Sequence, residues 1–438
     1  MKLISSYNIQ FKDGYNAVRS TIRKYNDAVR YLLLPVQEHW AEIQPIHPAT
    51  DRMKYVEHLV HGTLTRKAVY DFDHQFYKFP SYLRRSAIMD AIGTWSAYQS
   101  SLKNWADGGK QGNRPKCDNC RHLMPCFYND NMFLHTAGSN TARIKVYRQH
   151  DWVWQTIRLN KSDLDYLNKR SRHAQKVSAP VVVKKHGHYE LRFTIQEEVK
   201  LSGKPIYDQK ICAVDLGVGT DATCCVMNSH GTILSRKFIN CGKETDQVNK
   251  ALHRVSVFQR LHGSHDSGRL WNIAKRQNLN HAHLIANRIV DYARSHDCDV
   301  IVFEHLDTKG KKKGSKKQKL AMWCHTDVQN TAERLAHKFG MHIAHVNAWN
   351  TSKLAYDGSG IVKRGKAVSA DTPYDVCQFQ NGKTYNCDLS ASYNIGARYI
   401  IRALLNDLPQ LQAEVPALGS GTRRTLSTLW QIDNYLYA

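Results

Sequence analysis

The feature that most constrains the fold is a pair of short apolar runs that each end in an acid, Ile211–Asp215 (ICAVD) and Asp299–Glu304 (DVIVFE). Runs this short and this apolar suit strands inside a sheet covered on both faces. A long helical stretch, about Arg269 to Ser295, lies between them. Strands alternating with helices predict an α/β sheet with helices packed on its faces. Asp215 runs into LGVGTDATCCVM, a glycine-bearing turn and a second apolar run, which reads as a β-hairpin. A third acid, Asp388, opens DLSASYNIGARYI, where Asp388, Ala391, Ile395 and Ala397–Arg398 suit the start of a helix.

Taken singly, each acid reads equally well as a helix cap or an ion-paired group. Three carboxylates on elements that can meet at one sheet have a further use. They suit two divalent cations about 4 Å apart, one activating water and the other stabilising the leaving oxygen of a phosphodiester. Oxygen-only ligands favour Mg²⁺ or Mn²⁺ over softer metals.

Upstream, residues 1–12 read as a strand carrying Leu3, Ile4, Tyr7, Ile9 and Phe11. From about Tyr15 to Trp105 the spacing is helical. Val18, Ile22, Tyr25, Val29, Leu32 and Leu33 lie on one helix, and Ile88, Ile92, Trp95 and Tyr98 on another. Residues 107–116 (DGGKQGNRPK) mark a linker. Arg143–Tyr147, Trp152–Leu159, Pro180–Lys184 and Tyr189–Ile195 then read as strands of a β-barrel or small sandwich, which the N-terminal strand could join.

Composition narrows the partners. With 62 Lys+Arg against 38 Asp+Glu the net charge is +24, an excess that favours a polyanion, and nucleic acid above all. Met1 to Tyr25 has no long apolar run, so neither a signal peptide nor a membrane span is expected. The 11 Cys form an odd, scattered set that suits a reducing compartment. A cytoplasmic protein without a membrane partner is the expectation. No Ser-His-Asp set, Walker loop or dinucleotide glycine signature is evident.

AVDLGVGTDAT, DVIVFEHL and CDLSASYNIGAR resemble the three RuvC motifs of the transposon-encoded TnpB nucleases and the related miniature type V CRISPR effectors. The resemblance implies a multidomain α/β protein whose RNase H-like (RuvC) nuclease domain is split in sequence, with a β-barrel (wedge) domain and a helical recognition insert. The implied divisions are 1–14 for the first wedge strand, 15–110 for the recognition domain and 111–205 for the rest of the wedge. Residues 206–349 would be the nuclease domain with bridging basic helices, 350–387 a degenerate zinc-ribbon-like insert, and 388–438 the third motif and a loosely attached tail. The resemblance further implies Asp215, Glu304 and Asp388 as ligands to two Mg²⁺ (or Mn²⁺) ions. The implied partners are a guide RNA, a double-stranded DNA target with a short flanking motif, and the displaced single strand. A monomer and a dimer both remain open. Where the family commonly has Asn in the third motif, this chain has Ser390.

Two cysteine regions bear on zinc. The family's ribbon has two Cys-x-x-Cys knuckles, but here Ala355 and Gly358 stand at the first pair, and only Cys377 and Cys387 remain of the second. The expectation is a ribbon held by packing without zinc. Cys117 and Cys120, with Cys126 and His122 nearby, have one knuckle spacing, and either a zinc site or ordinary loop thiols fit.

The expected nucleic-acid contacts are basic. Lys311, Lys312, Lys313, Lys316 and Lys317 belong to a dense run after Glu304 that would hold phosphates. Arg254, Arg260, Arg269, Lys275 and Arg276 repeat at helical spacing, and the family resemblance implies a guide–target duplex along them. His262, His265, His281 and His283 in the same segment read as polar or RNA-facing. Arg19, Arg23, Lys24, Arg84 and Arg85 mix with Tyr25, Asn26 and Tyr82, as contact with phosphates and unstacked bases requires. The leading expectation is an RNA-guided DNA endonuclease. The alternatives are a guided DNA-binding repressor or transposition accessory protein, and a guide-independent RuvC-like nuclease.

Overall fold

The computed structural model describes all residues except 118–121, 137, 173, 186, 218, 264–265, 307–322, 412–420 and 438. The chain forms two compact units, Lys2–Glu198 and Val199–Ala438, the second also taking Met1.

The N-terminal unit begins with β1 (Lys2–Lys12), followed by helices α1 (Tyr15–Glu38), α2 (Ala49–Val60) and α3 (Ser81–Asp107). Strands β2 (Phe133–His135), β3 (Thr141–Arg148) and β4 (Asp151–Leu159) come next, then α4 (Lys161–Ser171) and strands β5 (Lys176–Val177), β6 (Val181–Lys185) and β7 (His188–Glu198). The seven strands form an antiparallel sheet ordered β2-β3-β4-β1-β7-β5, with β6 also on β7. Strand β1 pairs with β7 over Lys2–Gln10 and with β4 only through Phe11 and Lys12, so one strand turns from one partner to the other. Ile9 and Phe11 are fully buried and share one core with Val18, Tyr25, Val29 and Leu32 of α1. The helices and the sheet thus share one hydrophobic core.

The C-terminal unit is built on β8 (Lys210–Asp215), β9 (Ala222–Asn228), β10 (Ile233–Ile239), α5 (Gly242–His262), α6 (Gly268–Ser295) and β11 (Val300–His305). Helix α7 (His325–Lys338) and β12 (His342–Asn347) follow. A small sheet of β13 (Lys363–Arg364), β14 (Val376–Gln378) and β15 (Thr384–Asn386) comes next, and α8 (Cys387–Asp407) and α9 (Leu426–Tyr437) close the chain. The main sheet runs β10-β9-β8-β11-β12. Its first three strands form an antiparallel meander, and β11 and β12 run parallel to β8.

Both faces of this sheet are covered, which is why β8 and β11 are apolar at nearly every position. Alternation divides their residues. Cys212, Val214, Ile301 and Phe303 pack with α6 and α7, whereas Ile211, Ala213, Val300 and Val302 pack with α8 and α9. The C-terminal segment is no loose tail: Leu426, Leu429 and Ile432 of α9 are buried in the α8 core. The spacing Leu426, Leu429, Ile432 is a helical apolar stripe, and its burial anchors the segment.

Candidate functional site

The period-2 pattern that sorts the core also places the acids. Phe303 lies opposite Val214 in the parallel β8–β11 pair, so Asp215 and Glu304 follow at the ends of adjacent strands. Each is in phase with the residues that face α8. Helix α8 crosses β8, β9, β11 and β12 and carries Asp388 in its first turn. The Asn386 side chain caps that turn, accepting the N–H groups of Asp388 (3.1 Å) and Leu389 (3.0 Å). Close approach of α8 depends on Gly396, where a Cβ would stand 2.5 Å from Met227 Cε and 3.2 Å from Ala213 Cβ.

The structure therefore brings Asp215, Glu304 and Asp388 together. Burial raises all three carboxyl pKa values above the usual range, and for Asp215 the charges of Glu304 and Asp388 add to it. Glu304 is 8% exposed, and its Oε1 is buried with no hydrogen-bond partner among the described residues. A buried carboxylate oxygen left unpaired beside two further acids is costly without a cation. The donor set is oxygen only and fits hard divalent ions.

The third motif contributes a stripe of polar residues at four-residue steps. Ser390 Oγ accepts the Tyr356 N–H (3.2 Å), so the serine holds backbone where the family has asparagine. Asn394 donates to Thr351 O (3.0 Å) and Leu354 O (2.9 Å), and its Oδ1 accepts the Leu426 N–H (3.2 Å). Arg398, 5% exposed, donates to Asn347 O, Trp349 O, Thr422 O and Arg424 O at 2.8–3.1 Å. Burial lowers its pKa to about 10, against the opposing charge of Glu304. These three side chains lock the loop after β12 onto α8.

Arg364, on β13, was not singled out from the sequence. Its charge holds down the pKa values of both Asp215 and Asp388, so the guanidinium lies within electrostatic reach of both acids. Its Nε and Nη2 are buried without hydrogen-bond partners among the described residues. No motif marks it, because the approach of β13 to the acids is set by tertiary packing. The ribbon-like segment around it has its own small core of Ala355, Cys377, Phe379 and Cys387. Ala355, at an expected first-knuckle position, is fully buried there.

The remaining expected site residues divide. Arg19, Arg23, Arg254, Arg260, Arg269, Lys275 and Arg276 are exposed on helices. Lys24 is half-buried, with its ammonium 4.9 Å from the Phe76 ring centroid. Arg84 is a correction: it is 5% exposed and pairs with Glu57 (3.2 Å) and Asp73 (3.1 Å), because its position on α3 faces the helical core. Arg85 shares Glu57 at 3.0 Å but stays open to solvent. Tyr25 is likewise interior, its hydroxyl donating to Asp90 (2.7 Å). His281 is a second correction: it turns inward from α6 to pair with Asp221 (3.1 Å) rather than facing outward. Cys117 and Cys126 are half-buried, and burial raises the Cys126 thiol to about 11. Cys120, Lys311, Lys312, Lys313, Lys316, Lys317 and His265 lie outside the described residues. No helix among the described residues is long and apolar enough to cross a membrane.

Residues 5–148 match the model of the Aq_aa04 family. No curated protein matches the chain. Among solved structures, CasPhi-2 (Cas12j) bound to crRNA and phosphorothioate-DNA aligns over 91% of this chain and 91% of that one, with 9% identity and a TM-score of 0.51. Alicyclobacillus acidoterrestris C2c1 in complex with single-guide RNA aligns over 87% and 65%, with 10% identity and a TM-score of 0.44. A Cas12f1–sgRNA–target DNA complex aligns over 90% and 98%, with 14% identity and a TM-score of 0.35. The likeness to CasPhi-2 is one of fold, a multidomain α/β architecture.

Proposed function

We propose that this chain is an RNA-guided DNA endonuclease that hydrolyses phosphodiesters at Asp215, Glu304 and Asp388. The observation that carries the reading is the unpartnered Glu304 Oε1 beside Asp215 and Asp388 at the ends of adjacent strands. The meander followed by two parallel strands is the strand order expected of an RNase H-like sheet. The net charge of +24 suits a large polyanionic partner, and the fold resembles that of CasPhi-2, whose structure was solved with crRNA and DNA. In this reading the N-terminal unit takes the wedge and recognition roles and binds the guide.

Two hard divalent cations, held by the three carboxylates, would activate the attacking water and neutralise charge on the leaving oxygen. The chain's own residues prepare that site. Burial beneath α8 keeps Glu304 Oε1 short of other partners, while Asp215 and Asp388 stay partly open to solvent. Arg398 and Asn394 fix the loop over Glu304, so the acid has little freedom to turn away. Arg364 brings a cation to the rim of the cluster, where it would orient the scissile phosphate and offset its charge.

The test is co-purification with native flanking DNA, sequencing of the bound RNA, and Mg²⁺-dependent cleavage of matching plasmids beside an Asp215→Ala control. Bound RNA with cleavage lost in the variant supports the proposal. Bound RNA without cleavage by either protein favours a guided repressor, and absence of RNA removes the guided reading.

A further inference from the structure

On the opposite face of the nuclease sheet from the acids, three other side chains converge. Asp221 lies in the turn leading into β9, Cys241 immediately precedes α5, and His281 projects inward from the middle of α6. One ligand atom from each, a carboxylate oxygen, Sγ and a ring nitrogen, lies within 4.8 Å of the other two. His281 Nε2 is 3.1 Å from Asp221 Oδ1, while Asp221 Oδ2 accepts the Cys241 N–H at 2.6 Å. Cys241 is 2% exposed and His281 8% exposed.

An Asp–His ion pair accounts for two of these groups, and the Cys241 thiol turns toward the same Asp221 carboxylate. Cys241 is the N-cap of α5, yet its side chain makes no capping hydrogen bond. Burial and the Asp221 charge push the Cys241 thiol up to about 11, so it ionises when a cation takes the place of its proton. A second such thiol, Cys324, is the N-cap of α7 and lies against the His281 ring. Asp221, His281 and Cys324 also line a cavity of about 390 Å³, which gives an ion a route in.

We propose that Asp221, Cys241 and His281 bind a zinc ion, with Cys324 beside the fourth position. Thiolate, imidazole and carboxylate together select zinc over Mg²⁺ or Mn²⁺, and groups this close need little movement to reach bonding distances of about 2.0–2.3 Å. Binding displaces the thiol proton of Cys241 and any proton on the His281 nitrogen. The ion would tie the turn before β9 to the starts of α5 and α7 and to α6. It would thereby brace the short turn that leads on from Asp215. The site uses none of the carboxylates of the nuclease centre, so it stands or falls separately from the proposed cleavage.

The test is metal analysis of the full-length protein expressed with zinc, read by plasma mass spectrometry. Wild type and Asp215→Ala should carry about one zinc per chain. Cys241→Ser and His281→Asn should each lose it, and Cys117→Ser should keep it. Cobalt added to chelator-treated wild type should give a thiolate-to-cobalt charge-transfer band, which needs no variant to fold. Wild type that takes up neither zinc nor cobalt overturns the site. So does zinc retained by folded Cys241→Ser or His281→Asn, or zinc lost with Cys117→Ser alone.

Discussion

Val214 on β8 stands opposite Phe303 on β11 in parallel register, and that pairing sets Asp215 and Glu304 side by side. A slip of one residue would turn one acid toward α6 and the other toward α8. The two apolar strands are therefore the device that aligns the carboxylates.

Three raised carboxyl pKa values mean that ionising the cluster works against folding in the absence of metal. An acid whose native pKa is raised contributes stability that is full below its unfolded pKa, about 4, and lost as pH rises through the native value. Asp215→Asn should thus raise Tm by a few degrees in chelator at pH 8, with the difference vanishing below about pH 4. Mg²⁺ should stabilise wild type but not the variant. Differential scanning fluorimetry across pH and Mg²⁺ reads both effects.

Gly396 is needed for contact, not for a turn. Gly396→Val places new atoms against Met227 and Ala213 in a buried layer, and should cost about 1–3 kcal/mol. Met227→Ala should recover part of that loss. Urea denaturation of the two single variants and the double variant measures the coupling.

Arg364→Ala should lower cleavage by about 10²–10³-fold while leaving RNA binding close to wild type. Without this guanidinium the pKa values of Asp215 and Asp388 rise further. The acid limb of the cleavage profile should therefore move to higher pH. Single-turnover cleavage across a pH series shows whether both changes occur together.

The two kinds of arginine in the N-terminal unit should separate cleanly. Arg84→Ala leaves Glu57 buried with only Arg85 and should cost about 3–5 kcal/mol of stability. Exposed Arg23→Ala should leave Tm unchanged, weaken RNA binding and flatten its salt dependence. Thermal melts beside RNA titrations at several salt concentrations distinguish the two.

The five-stranded sheet of the C-terminal unit was legible because burial on both faces leaves an apolar signature in β8 and β11. The helix start at Asp388 was legible for a similar local reason. What the sequence hid depends on packing between distant segments. Nothing near Arg364 in the chain signals its approach to Asp215 and Asp388. Arg84 looked like its neighbour Arg85, and both reach Glu57 on α2; only the packing of the helices buries one guanidinium and leaves the other exposed. His281 did carry a signal, because it shares a face with Ile285 and Ile289, but the surrounding basic residues masked that stripe. The end of the chain read as a tail because its prolines and glycines drew attention away from Leu426, Leu429 and Ile432.

Guidance by RNA is the central claim, and reprogramming tests it most directly. The segment of the co-purified RNA that matches the target would be replaced by an unrelated sequence, and the complex offered plasmids matching the old and new segments with Mg²⁺. The account predicts that cleavage moves to the new match and disappears with Asp215→Ala. Cleavage that stays at the old position, or that ignores the RNA altogether, would contradict it.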